Sequence, residues 1–497
     1  MFMKRSLNVL LMLLFIPSIL MATDFKIVVL PFDKINKEKI PELETLSVGI
    51  SETLSGALSN INNFIIIDSF RVKKYLLDNS AFNQAVGAGD EKNMDRLRQL
   101  AQDKLSSDYI VYGTFYKIGN QISLDAKFIN ISSGKVLKAA SVHGAYPDRI
   151  FDLQEDLAKK LTQAINGSVS DSQNKNLDDY INSTNNYSAY QYYIQARIEH
   201  LKFNTKDYPR AIELYKKAIS KDAKYALAWA GMSEVNSLWG YQMKYAGANY
   251  KPKLDQAIIE GQKAVDLGPN IFQSYRALSL AYMNYEQFDK ANKVIEKGYS
   301  LNGKDPEMLF VKASLVNYDF KDMAKPGTES YKYIMECLKI NPELIIARWS
   351  YAYSLSVNGK KDESLAEYNR ILAINPSHAP SLHNIALIYY DMKDYDKTIE
   401  YARRALEVLP DVPQYFYTVG LAYYGSKDWA NAEKWLKTAV QKKPDYTDAL
   451  FTMAGAQYMQ GRYREARDSY AGVLKIKPDY PEAEKWKNIS EENMKKK

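Results

Sequence analysis

The first third of the chain alternates between short hydrophobic runs and longer stretches with helical spacing. The runs are rich in β-branched and aromatic residues or alternate apolar with polar positions, which predicts strands. The predicted strands cover residues 26–32, 64–67, 109–116, 122–128 and 136–143. Leucine and isoleucine at helical spacing predict helices over residues 43–58, 70–78, 94–105 and 150–161. This order predicts a small α/β domain with a mixed sheet over residues 24–166.

Two turn sequences connect the last three predicted strands. Gly119-Asn120 separates two strand patterns, which is a strong signal for a tight hairpin. Ser133-Gly134 marks the second turn. The last three strands are therefore expected to form an antiparallel meander.

From residue 189 onward only helical patterns remain, and they recur at a fixed interval. Prolines stand at equal distances from one another at positions 342, 376, 410, 444 and 478. Small residues are needed where two helices cross closely, and they recur at the same interval at Ala352, Ala386, Gly420 and Ala454. A period of about 34 residues is that of two antiparallel helices with their turns. The pattern predicts a solenoid of stacked helix pairs.

Eight repeats are predicted, and the earlier ones carry insertions. They cover residues 189–225, 226–271, 272–305, 306–344, 345–378, 379–412, 413–446 and 447–480. Residues 481–497 are predicted to form a capping helix and a tail. The segment 167–188 is rich in Ser, Asn, Asp and Gln and is predicted to be a linker.

This period and these small residues resemble the tetratricopeptide repeat (TPR) family over residues 189–480. The resemblance implies a superhelical solenoid that serves as a scaffold for binding other proteins. The expected fold class is α+β, with a small α/β domain of mixed sheet followed by an all-α TPR solenoid.

Four motifs within residues 24–166 are similar to the amino-terminal domain of TolB and of related bacterial envelope and signalling proteins. The motifs are Ile27-Val28-Val29-Leu30-Pro31-Phe32, Asp108-Tyr109-Ile110-Val111-Tyr112-Gly113, Ala126-Lys127-Phe128-Ile129-Asn130 and Phe151-Asp152-Leu153-Gln154. The resemblance implies a domain without enzymatic activity that serves in envelope assemblies.

The amino terminus has the pattern of a secretory signal peptide. Lys4-Arg5 precedes an apolar stretch from Leu7 to Met21, and the small residue Ala22 follows. The stretch is shorter than the ~20 residues that a spanning helix needs, although an uncleaved membrane anchor is the alternative. Residues 1–22 are therefore predicted to be a signal peptide, which places the protein in the periplasm. Association with the outer membrane is left open.

Composition and motifs argue against several kinds of site and function. The single cysteine, Cys337, allows no intrachain disulfide. The net charge of +7 is spread along the chain without a basic stripe, so nucleic-acid binding is not expected. The four histidines are scattered, and the sequence has no phosphate-binding glycine loop and no hydrolase or zinc-protease motif. No metal, no cofactor and no enzymatic activity are expected.

Tyrosine is unusually frequent, with 39 residues, and many tyrosines fall in the repeats. The first helix of each repeat is expected to line the concave face of the solenoid. The residues predicted to bind a partner there are Trp349, Tyr353, His383, Tyr390, Tyr417, Tyr424, Phe451 and Tyr458. Such a face suits an extended or helical peptide with apolar side chains. The alternative is that these rings pack between neighbouring helices.

Two functions are compatible with these features. The first is a periplasmic scaffold that binds partner proteins of a bacterial envelope assembly. The second is a structural subunit of an outer-membrane or secretion-type complex, in which the α/β domain oligomerises. A third possibility, an enzyme of cell-wall or polysaccharide metabolism, has no supporting residues. The sequence leaves the partner, the oligomeric state and peripheral membrane association open.

Overall fold

The computed structural model describes residues 24–35, 41–61, 63–67, 98, 102, 107–166, 169–201, 206–245, 247–316 and 320–496. The predicted signal peptide and the predicted helix at 70–78 lie outside these residues. So does nearly all of the predicted helix at 94–105.

The α/β domain is built on a mixed sheet. Its strands are β1 (Phe25–Val29), β2 (Asp33–Lys34), β3 (Phe64–Ile67), β4 (Tyr109–Ile118), β5 (Gln121–Asn130) and β6 (Val136–Ala145). The strand order is β3-β1-β4-β5-β6. β1 runs parallel to β3 and to β4, and β2 is a short parallel partner of β4. The predicted meander is confirmed, because β4, β5 and β6 pair in antiparallel order.

Two helices of this domain, α1 (Pro41–Leu58) and α2 (Ile150–Asn166), share its hydrophobic core with the sheet. The hairpin between β4 and β5 turns through Gly119, whose φ of 58° is readily adopted by glycine. Ile118 consequently stands opposite Gln121.

The segment predicted to be a linker, residues 167–188, differs from that prediction. Residues Asp171–Ile181 form helix α3, which begins with a capping box at Ser170. Leu177, Tyr180 and Ile181 are buried in the same core as α1 and α2. Their i, i+3, i+4 spacing gives α3 a narrow apolar stripe on an otherwise polar helix. The segment is therefore a packed element of the fold.

The rest of the chain is an all-α solenoid, and the fold class predicted from the sequence is confirmed. Its helices are α4 (Tyr187–His200), α5 (Tyr208–Lys221), α6 (Ala226–Tyr245), α7 (Lys251–Leu267), α8 (Phe272–Asn284), α9 (Phe288–Leu301), α10 (Pro306–Val316), α11 (Glu329–Ile340), α12 (Ile345–Val357), α13 (Lys361–Ile374), α14 (Ala379–Asp391), α15 (Tyr395–Val408), α16 (Pro413–Gly425), α17 (Trp429–Lys442), α18 (Thr447–Met459), α19 (Tyr463–Ile476) and α20 (Ala483–Lys496). A short 3₁₀ helix at Lys321–Ala324 lies between α10 and α11. Helices α4 to α19 form successive pairs, and α20 packs on the last pair.

Close helix crossings explain why small residues recur once in each repeat. Ala352, Ala386 and Ala454 are fully buried. A Cβ atom added to Gly420 would stand 2.6 Å from Cγ of Leu436 in the second helix of the same pair. Larger side chains at these positions would hold the two helices of a pair apart.

The α/β domain lies directly against the amino-terminal helix pairs. The hydroxyls of Thr53 in α1 and Tyr190 in α4 hydrogen-bond at 3.0 Å. The Asn302 side chain, after α9, donates a hydrogen bond of 3.1 Å to the Ser59 carbonyl. One hydrophobic cluster contains residues of the sheet, α1 to α3 and the first helix pairs. Domain and solenoid therefore share a core.

Candidate functional site

The concave face of the solenoid is defined here by the fifth, ninth and twelfth residues of the first helix in each pair, from α6 onward. In the amino-terminal pairs the fifth and ninth positions hold Ala230 and Glu234 of α6, Arg276 and Leu280 of α8, and Phe310 and Ser314 of α10. Leu280 is half-buried, and the other five are buried, with at most 7 % of each residue exposed. Several of them line a cavity together with residues of α1. The α/β domain thus covers the concave face of these pairs.

The concave face becomes exposed and apolar at α12 and α14. Tyr353 in α12 and Leu387 in α14 are the ninth residues of their helices, and 36 % and 38 % of their surfaces are exposed. The equivalent residues of α16 and α18 are Leu421 and Gly455. Sequence analysis selected Tyr353 but missed Leu387 and Leu421, although the repeat interval leads from Tyr353 to both. The exposed apolar strip therefore lies at α12 and α14, whereas Leu421 is half-buried and Gly455 is buried.

Four of the predicted residues occupy the fifth position of their helices. These are Trp349, His383, Tyr417 and Phe451, one from each successive repeat. Trp349 stacks on Tyr353 with ring centroids 5.8 Å apart and planes inclined by 10°. His383 packs against Thr418 of the following repeat, whereas Tyr417 and Phe451 pack on Tyr446 and Tyr480, the last residues of their own repeats. These rings pack on other side chains rather than lying wholly in solvent.

His383 corrects the sequence prediction, because it does not present its ring at the surface. Only 5 % of the residue is exposed, and Nε2 lies 2.9 Å from Oγ1 of Thr418 in α16. The ring of Tyr415 covers it at a centroid distance of 4.7 Å. Burial lowers the pKa of His383 to about 4, so the imidazole is neutral at pH 7. His383 is a packing residue between two repeats.

Tyr417 and Phe451 combine packing with partial exposure. The ring of Tyr417 lies 5.0 Å from that of Tyr446, and that of Phe451 lies 5.1 Å from that of Tyr480. Tyr446 and Tyr480 are again separated by one repeat, so the contact is repeated. Burial raises the pKa of Tyr417 to about 12, with the side chain of Thr452 as its hydrogen-bond partner.

The remaining three predicted residues are the twelfth of their helices. Tyr390, Tyr424 and Tyr458 are half-buried, and each packs on an aromatic residue of the second helix of its own pair. The ring centroids lie 6.0 Å apart for Tyr390 and Tyr395, 5.1 Å for Tyr424 and Trp429, and 5.2 Å for Tyr458 and Tyr463. Each ring therefore braces its pair while part of it remains accessible on the concave face.

Two tyrosines from distant parts of the chain, Tyr241 and Tyr353, interact electrostatically. Tyr241 near the end of α6 is 36 % exposed, yet its environment raises the pKa of its hydroxyl. Burial is the main cause, and the hydroxyl of Tyr353 in α12 adds to it. A ring that water reaches but protein surrounds is typical of a concave surface.

The exposed strip has the side chains of a surface that binds other proteins through apolar contacts. Its rings offer apolar contact area with few rotamers to immobilise, and the tyrosine hydroxyls add hydrogen-bonding tips. Within the described residues, no group of three or more His, Cys, Asp or Glu side chains is placed to hold a metal ion. No described helix is long and apolar enough to cross a membrane.

Family models described as tetratricopeptide repeat match residues 379–412 and 423–486. The first match begins and ends with the repeat predicted from the prolines, and the second covers α17 to α19 with their flanks. The chain carries tetratricopeptide repeats. The first match contains α14, which carries the exposed Leu387, and α12 lies before both matches.

Solved structures that resemble the chain include the APC/C hetero-tetramer Cut9–Hcn1. That chain is 12% identical, with a TM-score of 0.49 and coverage of 69% of this chain and 64% of that one. PilW, a widely conserved type IV pilus biogenesis factor, is 17% identical with a TM-score of 0.39. The match covers 43% of this chain and 97% of PilW.

The human protein O-mannosyl-transferase TMTC1 is 25% identical over 190 residues, which is 37% of this chain. The chain spans 20% of the length of that relative. The prediction that the chain is not an enzyme is overturned by this relative, because a protein that resembles it in sequence is a transferase by name. The absence of familiar catalytic motifs is therefore not a sufficient ground for excluding activity.

Proposed function

We propose that the chain is a TPR scaffold that binds a segment of a partner protein along the concave face of α12, α14, α16 and α18. A role as a scaffold for protein interactions is supported by the matched repeats. The ligand class is an extended or helical peptide with apolar side chains.

One observation carries this proposal. The ninth helical position is buried in α6 and α10, at Glu234 and Ser314, but exposed and apolar in α12 and α14, at Tyr353 and Leu387. A chain that uses one half of its concave face internally has the other half available for a partner. Leu387, Leu421 and the accessible edges of Tyr390 and Tyr424 would form the contact.

We further propose that the scaffold works in a bacterial envelope. The signal-like residues 1–22 support export, and the four TolB-like motifs of the α/β domain support a place in an envelope assembly. A fusion of residues 1–23 to alkaline phosphatase tests the first part, because that enzyme is active only after export. An inactive fusion would contradict export of the chain.

Site-specific photocrosslinking tests the proposed surface. A photoreactive residue at position 353 is expected to capture a partner protein in living cells, and Leu387→Arg in the same chain should abolish the adduct. Ile259 in α7 is 62 % exposed and provides a matched control for both changes. Crosslinking from position 259 should give no such adduct, and Ile259→Arg should leave the adduct from 353 unchanged. An adduct that persists in the Leu387→Arg chain contradicts the proposal.

A further inference from the structure

We infer that the cavity between α1 and the amino-terminal helix pairs binds a small organic monocation carrying a primary ammonium group. This interdomain cavity has a volume of about 120 Å³. Its walls come from α1, α3, β3 and the first helices α4, α6, α8 and α10. It is separate from the exposed concave face, so the inference does not depend on the function proposed above.

The charges that line the interdomain cavity do not balance. Four carboxylates, from Glu52, Glu234, Asp305 and Glu307, stand against two guanidinium groups, from Arg197 and Arg276. Arg276 is the centre of the cluster, with contacts of 2.9 Å to Glu234, 3.1 Å to Asp305 and 3.0 Å to Glu307. Arg197 contacts Glu52 at 3.2 Å. Two of the four negative charges are thus in excess when all the groups are ionised.

Excess negative charge is costly at this depth, since a buried charge needs a partner of opposite sign. Only 9 % of the Arg276 side chain and 7 % of the Glu234 side chain are exposed, whereas 30 % of the Glu307 side chain is exposed. Burial raises the pKa of Glu307 to about 7, and the neighbouring Glu234 and Asp305 carboxylates add to this effect. A cation beside Glu307 would keep its carboxylate ionised. It would also reduce the excess negative charge of the cavity.

Two polar atoms in the wall lack hydrogen-bond partners among the described residues. Ser55 in α1 is 8 % exposed, and its buried Oγ makes no hydrogen bond. The same holds for the buried Oε1 of Gln273 in α8. An ammonium group has three donors, and neutral hydroxyl and amide oxygens can accept those that a carboxylate does not. The cavity therefore offers both the charge and the acceptors that this group requires.

Size and ligand type restrict the occupant further. A protein cavity of roughly 150 Å³ accommodates benzene, so the interdomain cavity accommodates on the order of five non-hydrogen atoms. The carboxylates are already engaged by arginines, and no described cluster of side chains has the arrangement of a metal site. A short alkylammonium ion fits these limits better than a divalent metal.

Isothermal titration calorimetry of the full chain with propylammonium chloride tests the inference. One saturable site per chain is expected. 1-Propanol, which has the same shape without the charge, and potassium chloride, at the same ionic strength, are expected to give none. Absence of saturable binding, or equal binding of either control compound, would overturn the assignment.

Variants locate the site. Ser55→Ala and Glu307→Gln are each expected to weaken propylammonium binding about tenfold, because each removes one interaction with the ammonium group. Glu307→Gln also relieves repulsion within the cluster, so the variant should fold. Gln273→Leu provides a second measurement on the opposite wall and should weaken binding in the same way. The exposed Glu400→Gln in α15 is the matched control. Wild-type affinity in Glu307→Gln and Gln273→Leu would place binding elsewhere and refute the inference.

Discussion

The hydroxyl of Tyr190 in the first solenoid helix lies 3.0 Å from that of Thr53 in the α/β domain. The Tyr190 ring also packs at a right angle on Phe151 of α2, with centroids 5.4 Å apart. Gly49 gives the ring room, because a Cβ atom there would stand 2.5 Å from the Tyr190 hydroxyl oxygen. This one side chain therefore joins α1, α2 and α4 into one core.

Gly56 in α1 lies where this junction leaves no room for a larger side chain. A Cβ atom on Gly56 would lie 2.0 Å from Cζ of Tyr180 in α3. Gly56→Ala is expected to lower the free energy of unfolding by about 1–3 kcal/mol, because overpacking outweighs the gain in helix propensity. Urea denaturation followed by circular dichroism measures the change.

Gly472→Ala in α19 is the matched control for Gly56→Ala. Both glycines lie in helices, but the added atom at Gly472 meets only the end of the Leu450 side chain, at 3.3 Å. Gly472→Ala should leave stability unchanged or raise it by about 0.5–1 kcal/mol. Equal effects of the two substitutions would show that the junction at Tyr180 is not tightly packed.

His383 predicts a loss of stability in mild acid. Its pKa is about 4 in the folded chain and about 6.5 in an unfolded one, so the unfolded state binds more protons between these values. The stability is fully present above pH 6.5 and falls as the pH is lowered towards 4, by about 3 kcal/mol for this group. His383→Gln should lose less stability between pH 7 and pH 4.5 than the wild-type chain. Identical losses in urea titrations at the two pH values would contradict this account.

Cys337 is expected to be unreactive in the folded chain. Its side chain is fully buried, Sγ lies 3.0 Å from the Pro306 carbonyl, and burial raises the pKa of the thiol well above its usual range. Maleimide labelling at pH 7.5 should therefore follow unfolding rather than precede it. A chain with the exposed substitution Ile259→Cys should be labelled once rapidly and a second time only in urea. Rapid labelling of the wild-type chain would contradict burial of the thiol.

Half-buried and exposed residues of the concave face are expected to contribute differently to stability. Replacing each by alanine should therefore lower the stability by different amounts. Tyr424 packs on Trp429, and its hydroxyl reaches the backbone of α18 near Gly455, so Tyr424→Ala should cost about 2 kcal/mol. Tyr353 is more exposed, and Tyr353→Ala should cost less than about 1 kcal/mol. Thermal unfolding compares the two variants. A larger loss for Tyr353→Ala would reverse the assigned roles of the two side chains.

The repeats could be predicted from the sequence because close helix packing admits few residue types at Ala386 and Gly420. The register then predicts which residues share the concave face, but not how deeply each is buried. His383 was misassigned because Tyr415, which covers it, lies in the next repeat. The linker prediction failed because α3 buries only Leu177, Tyr180 and Ile181, and its other residues are polar. The packing of α1 against the solenoid was not predictable. Gly49 and Gly56 indicate that something approaches α1 closely, but they do not indicate which element does so.

The asymmetry of the concave face has a consequence for how such a chain can vary in length. Each helix pair contacts mainly its neighbours, so a whole repeat between Pro342 and Pro478 can be gained or lost without rebuilding the rest. The first pairs have no such freedom, because Tyr190 and Arg197 of α4 and Asn302 after α9 are bonded to residues of α1 and its carboxy-terminal end. The register of the repeats is thus fixed at the amino-terminal end of the solenoid, whereas the number of repeats can vary towards the carboxy-terminal end.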